Sequence, residues 1–170
     1  FTRSTRSIPY VRRRVDHVLS RAGFGSGQSG TALINVHENY PREEMFRIDD
    51  DTLFRFAIAI VQLDDRPRVR VLARRDRFGR FVSALVYVPR DRAGTGVVEN
   101  IGQSLAAIYG GRVGGVTLFF PEGPLVRIHF IITRAPVDAP DPDRHALEYA
   151  VSTIIRTWHD ALSEQLAIGY

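Results

Sequence analysis

The sequence predicts an α+β fold in which helices pack on one face of an antiparallel sheet. Two stretches, 68–88 and 116–132, alternate β-branched or aromatic residues with other residues at period two, which is typical of strands in hairpins. Helical periodicity precedes, separates and follows these stretches. From Thr52 the predicted order is therefore helix, hairpin, helix, hairpin, helix, which favours a ferredoxin-like sandwich.

The first predicted region, 1–48, contains a helix, a glycine-rich loop and a connector. Apolar residues recur at helical spacing over 8–22. The stretch 25–30 reads G-x-G-x-x-G, which is the motif of a dinucleotide-binding site. Such a site needs a strand before the glycines, whereas here a helix precedes them, so we interpret the stretch as a loop. The stretch 32–38 is predicted as a strand and is a candidate to join the sheet, which would then read β-α-β-β-α-β plus one further strand.

The predicted core, 49–135, begins with a helix and the first hairpin. The acidic run 49–51 suits the positive end of a helix over about 52–63. In the hairpin, Asp76 and Gly79 fit a type I turn closed by a left-handed glycine. Pro89 should end the second strand because it has no N–H for the ladder.

The second half of the core repeats this arrangement. Apolar residues from Val97 to Ile108 predict an amphipathic helix, which Gly110 and Gly111 should end. The second hairpin turns at 121–124. The last region, 136–170, is predicted as a Pro/Asp linker followed by a long helix.

The sheet face turned away from the core carries the candidate functional residues. Its predicted members include too many apolar residues for a face left in water, so we expect another subunit, another domain or the terminal helix to cover it. Arginines mixed with aromatics are enriched at interfaces. The candidate interface or effector contacts are Arg70, Arg74, Tyr87, Arg127 and His129.

Composition limits the chemistry that the chain can perform. The 170 residues include no cysteine, which excludes thiolate metal sites and fits a reducing cytoplasm. No apolar run approaches the length of a membrane span. Every basic residue is arginine, which either a nucleic-acid binder or a GC-rich genome would explain. Because the acidic residues nearly balance the basic ones, we favour the genome's base composition. The chain starts at Phe1 and has one methionine, Met45, so we expect it to be part of a longer protein.

No recognised reaction site emerges from the motifs. The five histidines lack zinc-site spacing, and neither a nucleophile elbow nor a P-loop is found. The adjacent acidic pairs 43–44 and 64–65 do not predict converging carboxylates. We therefore assign no catalytic, cofactor-binding or metal-binding residue.

Binding of RNA or another polyanion is the alternative function, because an α+β sandwich with a basic sheet suits nucleic acid. The RNA-recognition signature on such a strand would need an aromatic residue at Ala84, a small residue at Arg80 and glycine at Phe78. The base-stacking platform is incomplete. We expect no nucleic-acid partner.

Several longer motifs resemble one enzyme family. The stretch RVRVLARRDRFGRFVSALVYVPRDR, at 68–92, resembles a segment of the large bacterial NAD-specific glutamate dehydrogenases, and similar stretches recur in the same order at 21–24, 40–46, 110–112, 124–130 and 156–160. Ala93 stands where the family has an aromatic residue, and the loop 94–96 is richer in glycine than is usual there.

The resemblance implies an N-terminal regulatory portion with ACT-like domains, in an enzyme that converts L-glutamate to 2-oxoglutarate and ammonia with NAD. Nothing in the chain matches the family's nucleotide-binding glycines or catalytic lysines, so no cofactor is expected in this part and NAD only in the parent enzyme. The expected partners are other domains or subunits of that enzyme, with a small amino acid as a candidate effector. No membrane partner is expected.

Overall fold

The computed structural model describes residues 40–135 and 141–168 of the chain. The chain divides into two compact units, Phe1–Arg66 and Pro67–Tyr170. The predicted helix at 8–22, the loop at 25–30 and the strand at 32–38 lie outside the described residues. The predicted boundaries at 48/49 and 135/136 stay predictions.

The described part of the first unit is helical. Helix α1 spans Arg42–Arg47 and helix α2 spans Asp50–Asp65. Asp49 caps α2 as predicted, because its Oδ1 accepts a hydrogen bond from the Thr52 N–H at 2.8 Å and its Oδ2 accepts one from the Thr52 hydroxyl at 2.7 Å. Leu53 and Ala57 are fully buried in this helix, together with most of Phe56 and Leu63.

Among its described residues, 67–135 and 141–168, the second unit is a four-stranded antiparallel sheet with two long helices. Its elements are β1 (Arg70–Arg75), β2 (Phe81–Pro89), a 3-10 turn (Arg90–Arg92), α3 (Thr95–Tyr109), β3 (Arg112–Phe119), β4 (Leu125–Thr133) and α4 (Arg144–Ile168). The strand order is β1-β2-β4-β3. The ferredoxin-like α+β prediction is confirmed, with the described strands and helices following the order β-β-α-β-β-α. This order is a cyclic shift of β-α-β-β-α-β by one strand–helix pair.

Local signals in the sequence set the turns of this unit. Gly79 has a φ of 71° and its N–H donates to the Asp76 carbonyl at 2.9 Å, as predicted. Gly110 ends α3 at a φ of 68°, and the N–H of Gly111 donates to the Ala106 carbonyl at 2.8 Å. The strand β2 ends at Pro89.

The core lies between one sheet face and the helices α3 and α4. Phe130, Ile128 and Ile132 of the central strand β4 are fully buried against Ile101 and Leu105 of α3. Burial of each such side chain contributes roughly 1.5–3 kcal/mol. The helix α4 adds a buried stripe of Leu147, Val151 and Ile155.

Candidate functional site

Three of the predicted contact residues lie in one row across the outer face of the sheet. Arg70 of β1 is opposite Tyr87 of β2, and Tyr87 is opposite Arg127 of β4. Phe119 of β3 completes the row beside Arg127. We call these four residues the arginine row. The sheet register therefore brings together two guanidinium groups and two aromatic rings that are far apart in sequence.

Arg70 is held by a carboxylate from the last helix. Its side chain is 4% exposed, and its Nη1 lies 3.5 Å from Oε2 of Glu148. The same oxygen accepts a hydrogen bond from the Val71 N–H at 3.0 Å and lies 3.7 Å from Nε of Arg144. Burial lowers the pKa of Arg70, and the nearby Glu148 carboxylate opposes that shift. Glu148 thus joins α4 to the outer edge of β1.

Arg127 is buried and stacks on an aromatic ring. Its guanidinium carbon lies 4.5 Å from the centroid of the Phe119 ring, which is within cation–π range. Arg127 is 9% exposed and Tyr87 is 6% exposed. The arginine row is therefore shielded from solvent rather than open to a dissolved ligand.

The other two predicted contacts lie in neighbouring rows. His129 is half-buried, and its Nε2 lies 2.7 Å from the hydroxyl oxygen of Ser83. Arg74 is half-buried opposite Ser83. Their role as interface or effector contacts stays a prediction.

A groove that we did not predict runs between α3 and the edge strand β3. Val116 and Leu118 point to the core side of the sheet but are 44% and 38% exposed. The groove encloses a cavity of about 300 Å³. Most of its lining is apolar, and polar residues of α3 form its rim. The lining residues are Ala93, Thr95, Val98, Glu99, Gly102, Gln103, Val113, Val116, Leu118 and Phe130.

Gly102 explains why α3 approaches the sheet so closely at the base of this groove. A Cβ atom at this position would lie 2.9 Å from the Phe130 ring. The sequence pattern predicted that Val116 and Leu118 belong to one arm of the second hairpin, but it gave no indication that this strand lies at the edge of the sheet.

The two edges of the sheet differ in how they are covered. At the β1 edge, the Val71 N–H is bound by Glu148, and Arg75 contacts Asp141 with an Nη2–Oδ1 distance of 2.7 Å. At the β3 edge, the exposed side chains of Val116 and Leu118 continue to Phe120, which is 56% exposed. An edge with exposed apolar side chains favours association with another chain segment.

The described part of the chain has neither a cluster of metal ligands nor a helix suited to a membrane. Residues 40–135 and 141–168 contain no group of three or more His, Asp or Glu side chains that could hold a metal ion. Among these same residues, no helix has both the length and the apolar character that crossing a bilayer requires.

The sheet, its two covering helices and its connectivity define the second unit as a ferredoxin-like α+β domain. A family model described as glutamate dehydrogenase, ACT2 domain, matches residues 70–159, and one described as glutamate dehydrogenase, helical motif 1, matches residues 8–66. The chain belongs to this glutamate dehydrogenase family. The ACT2 match lies within the second unit, and an ACT-like region is what the resemblance at 68–92 led us to expect.

Three relatives described as NAD-specific glutamate dehydrogenase support this assignment. The protein of Halomonas elongata is 33% identical over 171 residues, covering 100% of this chain and 11% of the relative. The protein of Pseudomonas aeruginosa is 35% identical over 164 residues, covering 96% of the chain and 10% of the relative. The protein of Mycobacterium tuberculosis is 30% identical over 167 residues, covering 91% of the chain and 10% of the relative. The chain thus spans about a tenth of the length of the curated relatives it matches.

Proposed function

We propose that this chain is a non-catalytic, ACT-like part of the N-terminal regulatory region of an NAD-dependent glutamate dehydrogenase. The parent enzyme would oxidise L-glutamate with NAD and water to 2-oxoglutarate, ammonia and NADH in the cytoplasm. The family assignment and the names of the relatives support this proposal. In that enzyme the chain would hold domains or subunits together.

The exposed β3 edge is the observation that carries the assembly role. Val116, Leu118 and Phe120 are exposed apolar residues at alternate positions, which we call the apolar strip, and the first two line a cavity. Side chains from or near α4 cover the β1 edge. Because the relatives are about ten times longer than this chain, we assign the strip to another part of the same enzyme. A packed partner there would bury apolar surface that is now in contact with water.

Substitution of Leu118 in the full-length enzyme tests this role. We expect Leu118→Asp to lower the oligomeric mass in analytical ultracentrifugation or to expose new sites in limited proteolysis. Tyr149→Asp is the matched control, because Tyr149 is an apolar residue on α4 that is 69% exposed. The isolated chain should tolerate either change. An assembly and a proteolysis pattern unchanged by Leu118→Asp would contradict the proposal.

The non-catalytic assignment has its own assay. The isolated 170-residue chain is expected to form no NADH from glutamate and NAD, while the full-length enzyme forms it. Measurable NADH from the isolated chain would show that the assignment is wrong.

An amino-acid effector remains part of the proposal, with Arg70, Arg74 or Arg127 as the group that pairs with its carboxylate. Because Arg70 and Arg127 are buried, the outer face would have to open to admit a ligand. Calorimetry with a panel of amino acids at millimolar concentration tests this. Absence of heat would exclude effector binding by the isolated chain.

The burial of Arg70 and Arg127 weighs against the outer sheet face as the site of polyanion binding, because the phosphates of a nucleic acid need exposed arginines. Binding of single-stranded RNA that falls steeply with salt would favour the alternative. Binding no tighter than that of a variant with substituted surface arginines would count against it.

A further inference from the structure

The groove between α3 and β3 lies where the helical layer of the second unit ends. In the described part of this unit, α3 and α4 are the long helices that pack on the core face of the sheet. Val116 and Leu118 are opposite Phe130 and Ile128, which are fully buried in the core. Val116 and Leu118 themselves remain 44% and 38% exposed. The covered core therefore stops one strand short of the edge of the sheet.

The groove has a polar wall on α3 and an apolar wall on β3. Thr95, Glu99 and Gln103 are spaced four residues apart on α3, so they form a stripe along one side of this helix. At 1.5 Å per residue, the stripe is about 12 Å long. The side chains of Val116 and Leu118 form the facing wall. A groove of this length accommodates about two turns of a helix or about four residues of a strand.

The backbone of β3 favours a helix over a further strand as the occupant of the groove. The register between β3 and β4 shifts between Val113 and Gly115, so Gly114 interrupts the ladder. Bulges bend a strand and are one of the features that protect sheet edges from pairing. A strand in the plane of the sheet would reach the cavity of about 300 Å³ with the side chains of one face only. A helix would lie beside α3, in the same layer as the cavity.

Glu99 indicates the charge of the occupant. This residue is exposed on the rim of the groove, and its carboxylate forms no ion pair with any residue in the described part of the chain. Its neighbours on the stripe, Thr95 and Gln103, are uncharged. An opposite charge at the rim of an interface contributes little affinity but fixes orientation and excludes wrong partners. The rim is therefore complementary to a helix that carries a lysine or arginine beside its apolar face.

We propose that an amphipathic helix from another part of the same enzyme docks in this groove. Its apolar residues, spaced three, four and seven apart, would cover Val116 and Leu118, and a basic residue would lie beside Glu99. The chain covers only 10–11% of its relatives from Halomonas elongata and Pseudomonas aeruginosa, so an enzyme of their length has ample sequence to supply the helix. The inference rests on the proposed function, which assigns the β3 edge to the same enzyme, and adds the secondary structure and charge of the occupant.

Photo-crosslinking in the full-length enzyme tests the secondary structure of the occupant. The photoreactive residue p-benzoylphenylalanine replaces Thr95 in one variant and Gln103 in another, two positions about 12 Å apart along α3. Mass spectrometry then identifies the cross-linked residues. A helix along the groove should be cross-linked at two residues about eight apart, whereas a strand would be cross-linked at residues about four apart. The same probe at Tyr149, which is 69% exposed on α4, is the control and should not reach that segment.

The outcomes separate this inference from the proposed function. Cross-links about four residues apart, or cross-links to residues 112–119 of a second copy, would overturn the helical occupant even if Leu118→Asp disrupts the assembly. Absence of cross-links from both groove positions would show that the groove is empty and would overturn the inference as well. The assembly role fails separately, by an unchanged assembly and proteolysis pattern in Leu118→Asp.

A charge exchange tests the basic residue of the docked helix. Glu99→Lys should lower the yield of cross-links from position 103 by about two- to fivefold, the effect of losing one exposed ion pair. Replacing the basic residue of the cross-linked helix by glutamate should restore the yield in the Glu99→Lys enzyme. Asn100→Lys is the matched control, because it adds a lysine to the same turn of α3 but outside the lining of the groove. Equal losses in the two lysine variants, or no restoration by the exchange, would overturn the pairing with Glu99.

Discussion

Loss of Glu148 is expected to weaken the attachment of α4 to the sheet. Its carboxylate binds the Val71 N–H at 3.0 Å and lies 3.5 Å from Nη1 of the buried Arg70. In Glu148→Ala the amide loses its acceptor, which costs about 1–3 kcal/mol. Arg70 also loses its carboxylate, and removing one partner of a fully buried pair costs about 3–5 kcal/mol.

The ion-pair contribution should fall below that range in this protein. The Arg70–Glu148 distance of 3.5 Å is long, and the Glu148 side chain is 16% exposed, so solvent screens part of the interaction. We therefore expect Glu148→Ala to lower the free energy of unfolding by about 3 kcal/mol in total. Glu148→Gln retains an acceptor for the amide and should lower it by about 1–2 kcal/mol.

Urea unfolding followed by tryptophan fluorescence measures these changes. Trp158, the only tryptophan in the chain, lies on α4, and its ring packs against Gly96 at the start of α3. Glu99→Ala is the matched control because it removes an exposed glutamate from a helix. In an Arg70→Leu background, Glu148→Ala should cost only the amide contribution, about 1 kcal/mol. A cost below about 1 kcal/mol in the wild-type background would refute the reasoning.

Three further predictions concern helix ends. Asp49→Ala should destabilise α2 by about 1 kcal/mol. Burial raises the pKa of Asp49, but hydrogen bonds from Thr52 outweigh this effect and hold the pKa below 3.8. The stability that the Asp49 charge provides is therefore present above about pH 4 and is lost as the pH falls through the folded pKa. Circular dichroism against pH, with Asp49→Asn as the non-titrating reference, should show this loss. Gly110→Ala places a side chain at a φ of 68° and should lower the urea midpoint by an amount equivalent to about 1 kcal/mol. Gly96→Ala puts a Cβ atom 2.9 Å from the Trp158 ring and should shift its fluorescence emission, whereas unchanged emission would exclude the contact.

The parts of the fold that the sequence predicted are those specified by local signals. Gly79 and Gly110 were predicted as turn and cap residues because positive φ strongly favours glycine, and both adopt it. Strand alternation likewise placed Arg70, Tyr87 and Arg127 on one face. Alternation predicts which face of the sheet a residue occupies. It does not predict which residues lie opposite each other in a row, because that depends on the register between strands.

What the sequence did not predict depends on contacts between distant residues. The hydrogen bond from Val71 to Glu148 joins positions 77 residues apart. The exposure of Leu118 follows from the strand order, which leaves β3 at the edge although its pattern matches that of a central strand. No periodicity in the sequence indicates that Nε and Nη2 of Arg134 lack hydrogen-bond partners, since this depends on what surrounds its guanidinium. The groove was missed for this reason.

The arginines also need an explanation beyond the base composition of the genome. A GC-rich base composition would favour arginine over lysine on the surface, where either residue serves. It does not account for the buried positions. The guanidinium carbon of Arg127 lies 4.5 Å from the centroid of the Phe119 ring, on which the flat group stacks. The Arg70 side chain is only 4% exposed and lies beside the Glu148 carboxylate. A lysine ammonium at either position would be harder to desolvate and could not stack in the same way. We therefore infer that packing, and not base composition alone, selects arginine at these two positions of the outer face.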